Sequence, residues 1–274
     1  MLWAHGRLWT GAGGASLGGA AVSAGGSREL VERVAATVVR KADTRAVTFR
    51  QAYGTASRPV VLRCADGNEW VVKGAQSGKT PVNEQVVCFL GAGIGAPVVE
   101  TALVYVPQEL IAAVPEMSHM QPGVAHGSRL LMGCMDARAL RFFNDENRSR
   151  YAALHVLYSW ADSNDEQVLY QMGSPVLVYS HDHGHFFPGG PDWSVDSLDA
   201  GMRPHLKPFF SFCGLEVADY ADALAKLERV APEDIAMAVC HSPLGWACTI
   251  DERVALADYL GERVPAVIAL FRGR

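Results

Sequence analysis

The chain of 274 residues carries a formal net charge of −5 and a pI of about 6.0, with 49% hydrophobic and 19% charged residues. That is enough apolar material for one large domain or two small lobes. The acidic balance gives no field to hold nucleic acid, and no apolar run reaches the ~20 residues of a membrane span, so neither is an expected partner.

Six cysteines (Cys64, Cys88, Cys134, Cys213, Cys240, Cys248) are scattered and none forms a C-x-x-C pair. Most sit in apolar runs, as expected of reduced, buried thiols in a cytoplasmic protein. The Ala, Gly, Val and Arg usage fits a GC-rich bacterial genome. Residues 1–28, rich in Gly, Ala and Ser, lack the basic start and continuous apolar block of a secretory signal and read as a flexible arm.

In chain order, 27–41 reads as a short helix, with Ser27 as cap and Glu29 and Glu32 in its first turn. Strands follow. Asp66-Gly67 is a hairpin signal and predicts that 60–64 and 69–73 pair antiparallel. Residues 81–91 read as a helix, with Pro81 at its start and Gly91 at its end, and 98–106 as another strand. These elements make a small α+β lobe ending near Ala113. The second half is more helical: 137–143, 148–159, 217–230, 232–240 and 251–271 are predicted helices, and 175–180 a short strand.

Two glycine-rich segments mislead. In the stretch from Gly74 to Thr80 the spacing of a phosphate-binding P-loop fails, because Lys73 stands where its first glycine belongs and Pro81 follows Thr80. The glycines at 91, 93 and 95 follow a predicted helix rather than a strand, and Pro97 forbids the long helix a dinucleotide fingerprint requires.

Phosphoryl transfer needs a cation for the phosphates, a carboxylate to hold that cation, metal ligands and a base for the attacking hydroxyl. Lys73 ends an apolar strand and Glu84 lies early in the next helix. Asp162, Asn164, Asp165, Glu166 and Gln167 cluster in a loop after an apolar helix, where carboxylates serve as base or metal ligand. A buried strand then delivers Asp182 to a glycine-containing turn, a natural place for a Mg²⁺ ligand. His181, His183 and His185 around it suggest a rival transition-metal site, but their tight spacing argues against convergence on one ion.

Together these pieces resemble the HipA-like kinases, in particular the shorter single-domain relatives. The resemblance runs over roughly residues 44 to 270 and rests on order and spacing: the Gly54 to Pro59 turn, the Asp66-Gly67 hairpin, Val71-Val72-Lys73, Asn83-Glu84, Leu90 through Pro97, Pro122-Gly123, His126-Gly127-Ser128, Trp160 with Asp165, and Asp182-His183-Gly184. It implies an α+β, two-lobed protein-kinase-like fold, with a small antiparallel-sheet N-lobe at 29–112 and a mainly helical C-lobe at 113–274. It implies ATP and Mg²⁺ as cofactors, and a protein or small-molecule hydroxyl as phosphoryl acceptor. In that scheme Lys73, held by Glu84, meets the α/β-phosphates, and Ser57 helps cover the phosphates through backbone N–H groups. The adenine meets the connecting segment at 106–110, with Gln108 and Glu109. Asp165 orients the acceptor, and Asp182 binds Mg²⁺ with Gln167 or Asn164.

Two departures stand out. Glu166 replaces the arginine that usually follows the catalytic aspartate, and Tyr170 stands where many members carry a metal-binding asparagine. A degenerate nucleotide-binding pseudokinase or partner-binding module, or another ATP-dependent transferase such as an adenylyl transferase, are the competing expectations.

Overall fold

The computed structural model describes residues 24–38, 41–136 and 142–273. The expected helix at 137–143 falls mostly outside them, as do residues 1–23 of the expected arm. The elements are α1 (Ala24–Thr37), β1 (Thr44–Ala52), β2 (Val60–Cys64), β3 (Glu69–Lys73), α2 (Thr80–Gly93), β4 (Thr101–Val106), α3 (Gln108–Ala113), β5 (Gly123–Arg129), β6 (Cys134–Met135), α4 (Asp145–Trp160), β7 (Val168–Gln171), β8 (Leu177–Ser180), α5 (Val195–Ala200), α6 (Ala221–Leu227), α7 (Pro232–Val239) and α8 (Ile250–Arg272).

The fold is α+β. Five strands close into a barrel in the order β1-β2-β3-β5-β4, and β6-β7-β8 form a separate small sheet. The barrel is not wholly antiparallel as expected: β1 pairs with β4 in parallel, Thr44 opposite Val104 and Arg45 opposite Tyr105, and this pairing closes it. The predicted hairpin forms, with Arg63 opposite Glu69 and Val60 opposite Val72. Its turn is held by the Asp66 carboxylate, which accepts from the Asn68 N–H at 3.0 Å and the Trp70 indole at 3.1 Å. Gly67, whose N–H donates to Cys64 O at 3.0 Å, supplies the positive φ of +80° that ends the three-residue loop between Cys64 and Asn68.

The boundaries expected at 29 and 112 do not match the packing. α1 begins at Ala24, inside the expected arm, and its Leu30, Val31, Val34 and Ala35 bury into the helical core rather than the barrel. Past residue 112, β5 pairs with both β3 and β4 and completes the barrel. The barrel interior is a second, smaller core that includes Val60, Leu62, Trp70, Val72 and Val104.

The larger core joins α1, α2, α4, α7 and α8. α4 is capped by Asn144, whose side chain accepts from the Asn147 N–H at 2.8 Å. α8 opens on a capping box between Thr249 and Glu252. Each such cap contributes about 1 kcal/mol. Just before β4, Val99 N–H donates to Ser180 O at 3.0 Å, and Ser180 N–H donates to Pro97 O at 2.8 Å. These bonds join the chain entering the barrel to the end of β8, two residues before Asp182. No described helix is long and apolar enough to cross a membrane.

Candidate active site

Lys73 is the last residue of β3 and breaks its alternation, being buried beside buried Val72. Its ammonium lies 2.6 Å from Glu84 Oε1 and 2.5 Å from Asp182 Oδ1. Glu84 uses its other oxygen to accept the backbone N–H of His183 at 3.1 Å. Lys73, Glu84 and the Asp182-His183 backbone therefore form a closed ring linking β3, α2 and the turn after β8. Burial alone would raise the Glu84 carboxyl, but the Lys73 ammonium and the His183 N–H outweigh it and hold it well below the usual range. Burial alone would lower Lys73, and Glu84 and Asp182 more than reverse it, so the lysine stays charged.

Asp182 adopts the left-handed region, φ 52° and ψ 59°, which aspartate tolerates better than most side chains. Its side chain is 42% exposed, so it faces both Lys73 and solvent. Gly184 is required by close approach, because a Cβ there would lie 2.5 Å from Thr80 Cγ2.

Three consecutive polar residues of α2 are fully or almost fully buried: Asn83 at 0%, Glu84 at 0% and Gln85 at 1%. Such burial is costly unless each polar atom is bonded, and each side chain serves a different element. The Asn83 amide nitrogen donates to the carbonyls of Gly184, Gly190 and Phe186 at 2.8, 3.2 and 3.3 Å, while its oxygen accepts the Trp193 indole at 2.8 Å. Gln85 Nε2 donates to His126 Nδ1 at 2.8 Å, and Gln85 Oε1 accepts from His241 Nδ1 at 2.9 Å. This leaves the His126 proton on Nε2, 2.8 Å from Ser128 Oγ. Burial pushes His126 down to about 4, so it is neutral at physiological pH.

The loop after α4 comes to the same place. His181 N–H donates to Gln167 O at 3.1 Å, which seats Gln167 beside the residue preceding Asp182. The Tyr158 hydroxyl donates to the same carbonyl at 3.0 Å and lies 2.7 Å from Ser180 Oγ. Gln167 Nε2 donates to Asp165 Oδ2 at 2.5 Å. Asn164, expected as a metal ligand, spends its amide nitrogen on the carbonyls of Phe187 and His185, at 2.9 and 3.1 Å, and so clamps the segment after the aspartate turn. Asp162 is 8% exposed and lies 2.5 Å from Lys207 Nζ.

Tyr170 is fully buried in β7, its hydroxyl 2.9 Å from that of Tyr151. That position belongs to the core and offers no metal ligand. The oxygen donors of Asp182 and Gln167 are of the hard type that suits Mg²⁺. The three histidines do not gather: His183 instead lies with Glu84 and Cys88, their ligand atoms within 4.8 Å of one another and all buried. Cys88 Sγ sits 3.3 Å from His183 Nδ1, and burial, then Glu84, push its thiol well up.

Ser57 O accepts from Ser77 Oγ at 3.0 Å, so the β1–β2 turn is tied to the segment that follows Lys73. Gln108 and Glu109 open α3. Glu109 lines a surface hollow with Arg45, Ala46 and Val47 of β1. The chain leaves the barrel only after β5, so the crossing to the helical half is at 130–133, not at 106–110. No local pattern announces β5, because GVAHGSR mixes glycine and polar residues and shows no apolar run. Asn83 was visible only as half of a motif. His126 likewise stands only within the His126-Gly127-Ser128 motif, and Cys88 and Lys207 carry no sequence signal of their own, since their partners lie far along the chain.

A buried strand lysine, a helix glutamate and a turn aspartate in one ring, beside a loop of carboxylates, define a kinase-like phosphotransferase site. Residues 46–186, just over half of the chain, match the family model of the HipA-like kinases, and the chain belongs to that family. Among solved structures it is similar to the Helicobacter pylori proinflammatory kinase CtkA, with a TM-score of 0.56 at 13% identity over 83% of this chain and 95% of that one. No curated protein matches it.

Proposed function

We propose that the protein is an ATP- and Mg²⁺-dependent kinase that phosphorylates a hydroxyl group, with a two-lobed kinase-like architecture in which the barrel covers the nucleotide. The observation that carries this reading is the ring joining Lys73, Glu84 and Asp182. Lys73 meets the phosphates, and Glu84 fixes its position and charge. Asp182 is the principal metal ligand, with Gln167 as the second. Mg²⁺, when bound, neutralises charge on the phosphates. The β1–β2 turn around Ser57 lies over them, and the crossing at 130–133 faces the adenine.

Asp165 is the acceptor-side carboxylate, oriented by Gln167 at 2.5 Å. A second assignment of that role is favoured by spacing. Gln167 immediately precedes β7 and follows Asp162 by five residues, the interval at which the family carries its metal-binding asparagine, whereas Tyr170, five after Asp165, is in the core. In that register Asp162, paired with Lys207, is the acceptor-side group and Gln167 stands in for the asparagine.

Phosphoryl transfer and ATP affinity, measured for Asp162→Asn, Asp165→Asn and Asp182→Asn, test both. Loss of turnover with nucleotide affinity retained marks the acceptor-side group, as expected for an interaction made mainly in the transition state. Loss of both marks Asp182. Turnover surviving all three contradicts the kinase reading.

A further inference from the structure

Behind the ring, α2 carries a second set of donor atoms. Glu84 and Cys88 stand four residues apart, one turn along the same face of the helix, and the turn after β8 brings His183 against both. His183 Nδ1 lies 3.3 Å from Cys88 Sγ and 3.7 Å from Glu84 Oε2. All three ligand atoms fall within 4.8 Å of one another. A tetrahedral zinc ion, with bonds of about 2.0–2.3 Å to nitrogen, oxygen and sulfur, sets its ligand atoms about 3.4–3.6 Å apart. The two histidine distances bracket that spacing.

The imidazole is oriented for such a role. Its Nε2 lies 2.8 Å from Ser180 Oγ, whose own proton has Gln167 O at 3.2 Å and the Tyr158 hydroxyl at 2.7 Å as acceptors. Nε2 thus carries the His183 proton, and Nδ1 presents its lone pair to the Cys88 thiol. An imidazole held through one nitrogen and bare on the other is the arrangement of a metal-ligating histidine. Glu84, Cys88 and His183 are 0%, 3% and 0% exposed, and an ion in such a place must be neutralised by its ligands. The Glu84 carboxylate and a Cys88 thiolate do this for Zn²⁺, once the thiol proton has left to solvent. Sulfur, imidazole and carboxylate together suit Zn²⁺, whereas Mg²⁺ belongs with the oxygens of Asp182 and Gln167.

We propose that Glu84, Cys88 and His183 form a Zn²⁺ site whose occupancy opposes nucleotide binding, the second half resting on the nucleotide reading above. Glu84 divides its oxygens between the Lys73 ammonium and the His183 N–H. A dication on the second oxygen draws the carboxylate charge away from Lys73 and leaves that ammonium to Asp182 alone. The lysine is then held off the phosphates by the aspartate that should carry Mg²⁺. By linkage, zinc and ATP–Mg²⁺ each weaken the binding of the other by one factor, about tenfold for a coupling of ordinary size.

Cobalt(II) titration of the metal-free full chain tests the site, because a thiolate ligand gives Co²⁺ an intense near-ultraviolet charge-transfer band. One equivalent should saturate the band, and Zn²⁺ should bleach it. Cys88→Ser, which leaves the other cysteines in place, should abolish the band with the metal-free melting temperature little changed. His183→Gln should weaken it. ATP–Mg²⁺ affinity, measured after zinc loading and dialysis, should fall about tenfold in the wild type and stay level in Cys88→Ser. A missing band, a band that persists in Cys88→Ser, or zinc-loaded protein that binds ATP–Mg²⁺ undiminished overturns the proposal. ATP–Mg²⁺ titration of the metal-free wild type stands apart: no binding there contradicts the kinase reading, while the cobalt band still decides the metal site.

Discussion

Lys73 Nζ stands 2.6 Å from Glu84 Oε1 where the lysine side chain is 5% exposed and the glutamate side chain 0%. A pair so deeply buried is weak evidence for net stabilisation, because both charges were taken from water. Removing one partner, however, strands the other.

Glu84→Ala should therefore lower stability by about 3–5 kcal/mol, since it leaves Lys73 with only Asp182 and frees the His183 N–H. Lys73→Met should cost a similar amount, and the double variant should cost less than the sum of the two. Denaturant melts of the three variants give the coupling. Additive losses would mean that the pair does not act as a unit.

Acid should weaken the fold through His126. Its folded value is about 4 against 6.5 in the unfolded chain, so between those values the unfolded state binds the extra proton. Stability is then present above pH 6.5 and falls as pH drops toward 4, by about 3 kcal/mol from this group. Glu84, held well below its ordinary 4.5, adds a loss in the same direction only below that pH. His126→Gln should flatten the slope between pH 6.5 and 4 in urea melts recorded against pH. An unchanged slope would show that His126 titrates normally.

Gly184→Ala should impair nucleotide binding, because the new Cβ would meet Thr80 Cγ2 at 2.5 Å and push the aspartate turn away from α2. Thr80→Ala removes that methyl and should restore part of the loss. ATP affinities of the single and double variants decide it, and a double variant no better than Gly184→Ala alone would refute the steric account.

Tyr170→Asn introduces the residue type that the family resemblance leads one to expect there, yet it should not improve metal dependence. The side chain would lie in the core, where it would lose the contact with Tyr151 and the packing with Phe142. A cost of about 3–5 kcal/mol is expected. Tighter Mg²⁺ dependence without that cost would place residue 170 at the metal instead.

The sequence made some of this site legible because local chemistry coincides with global position. Asp66-Gly67 fixes the hairpin, the hairpin fixes where β3 ends, and Lys73 follows. Pro81 opens α2 and sets Glu84 within its first turns. Other features are settled by distant partners. β5 has no apolar alternation and exists because β3 and β4 bond it from both sides. Thr44 pairs in parallel with Val104, sixty residues on, which no local pattern announces. α1 carries an apolar stripe that does not say which half of the molecule it covers. The loop register was set by Trp160 alone, and the burial of Asp162 depends on Lys207, whose place near the loop cannot be read from spacing.

The account stands most directly on calorimetric titration of ATP, with and without Mg²⁺, into the wild-type chain and into Lys73→Ala and Asp182→Asn. It predicts saturable heat for the wild type that grows with Mg²⁺, a loss of most affinity in Lys73→Ala, and a loss of the Mg²⁺ enhancement in Asp182→Asn. Wild-type protein that takes up no ATP–Mg²⁺ at millimolar concentration, or that binds it equally well without both side chains, would contradict the assignment of this ring as the nucleotide site.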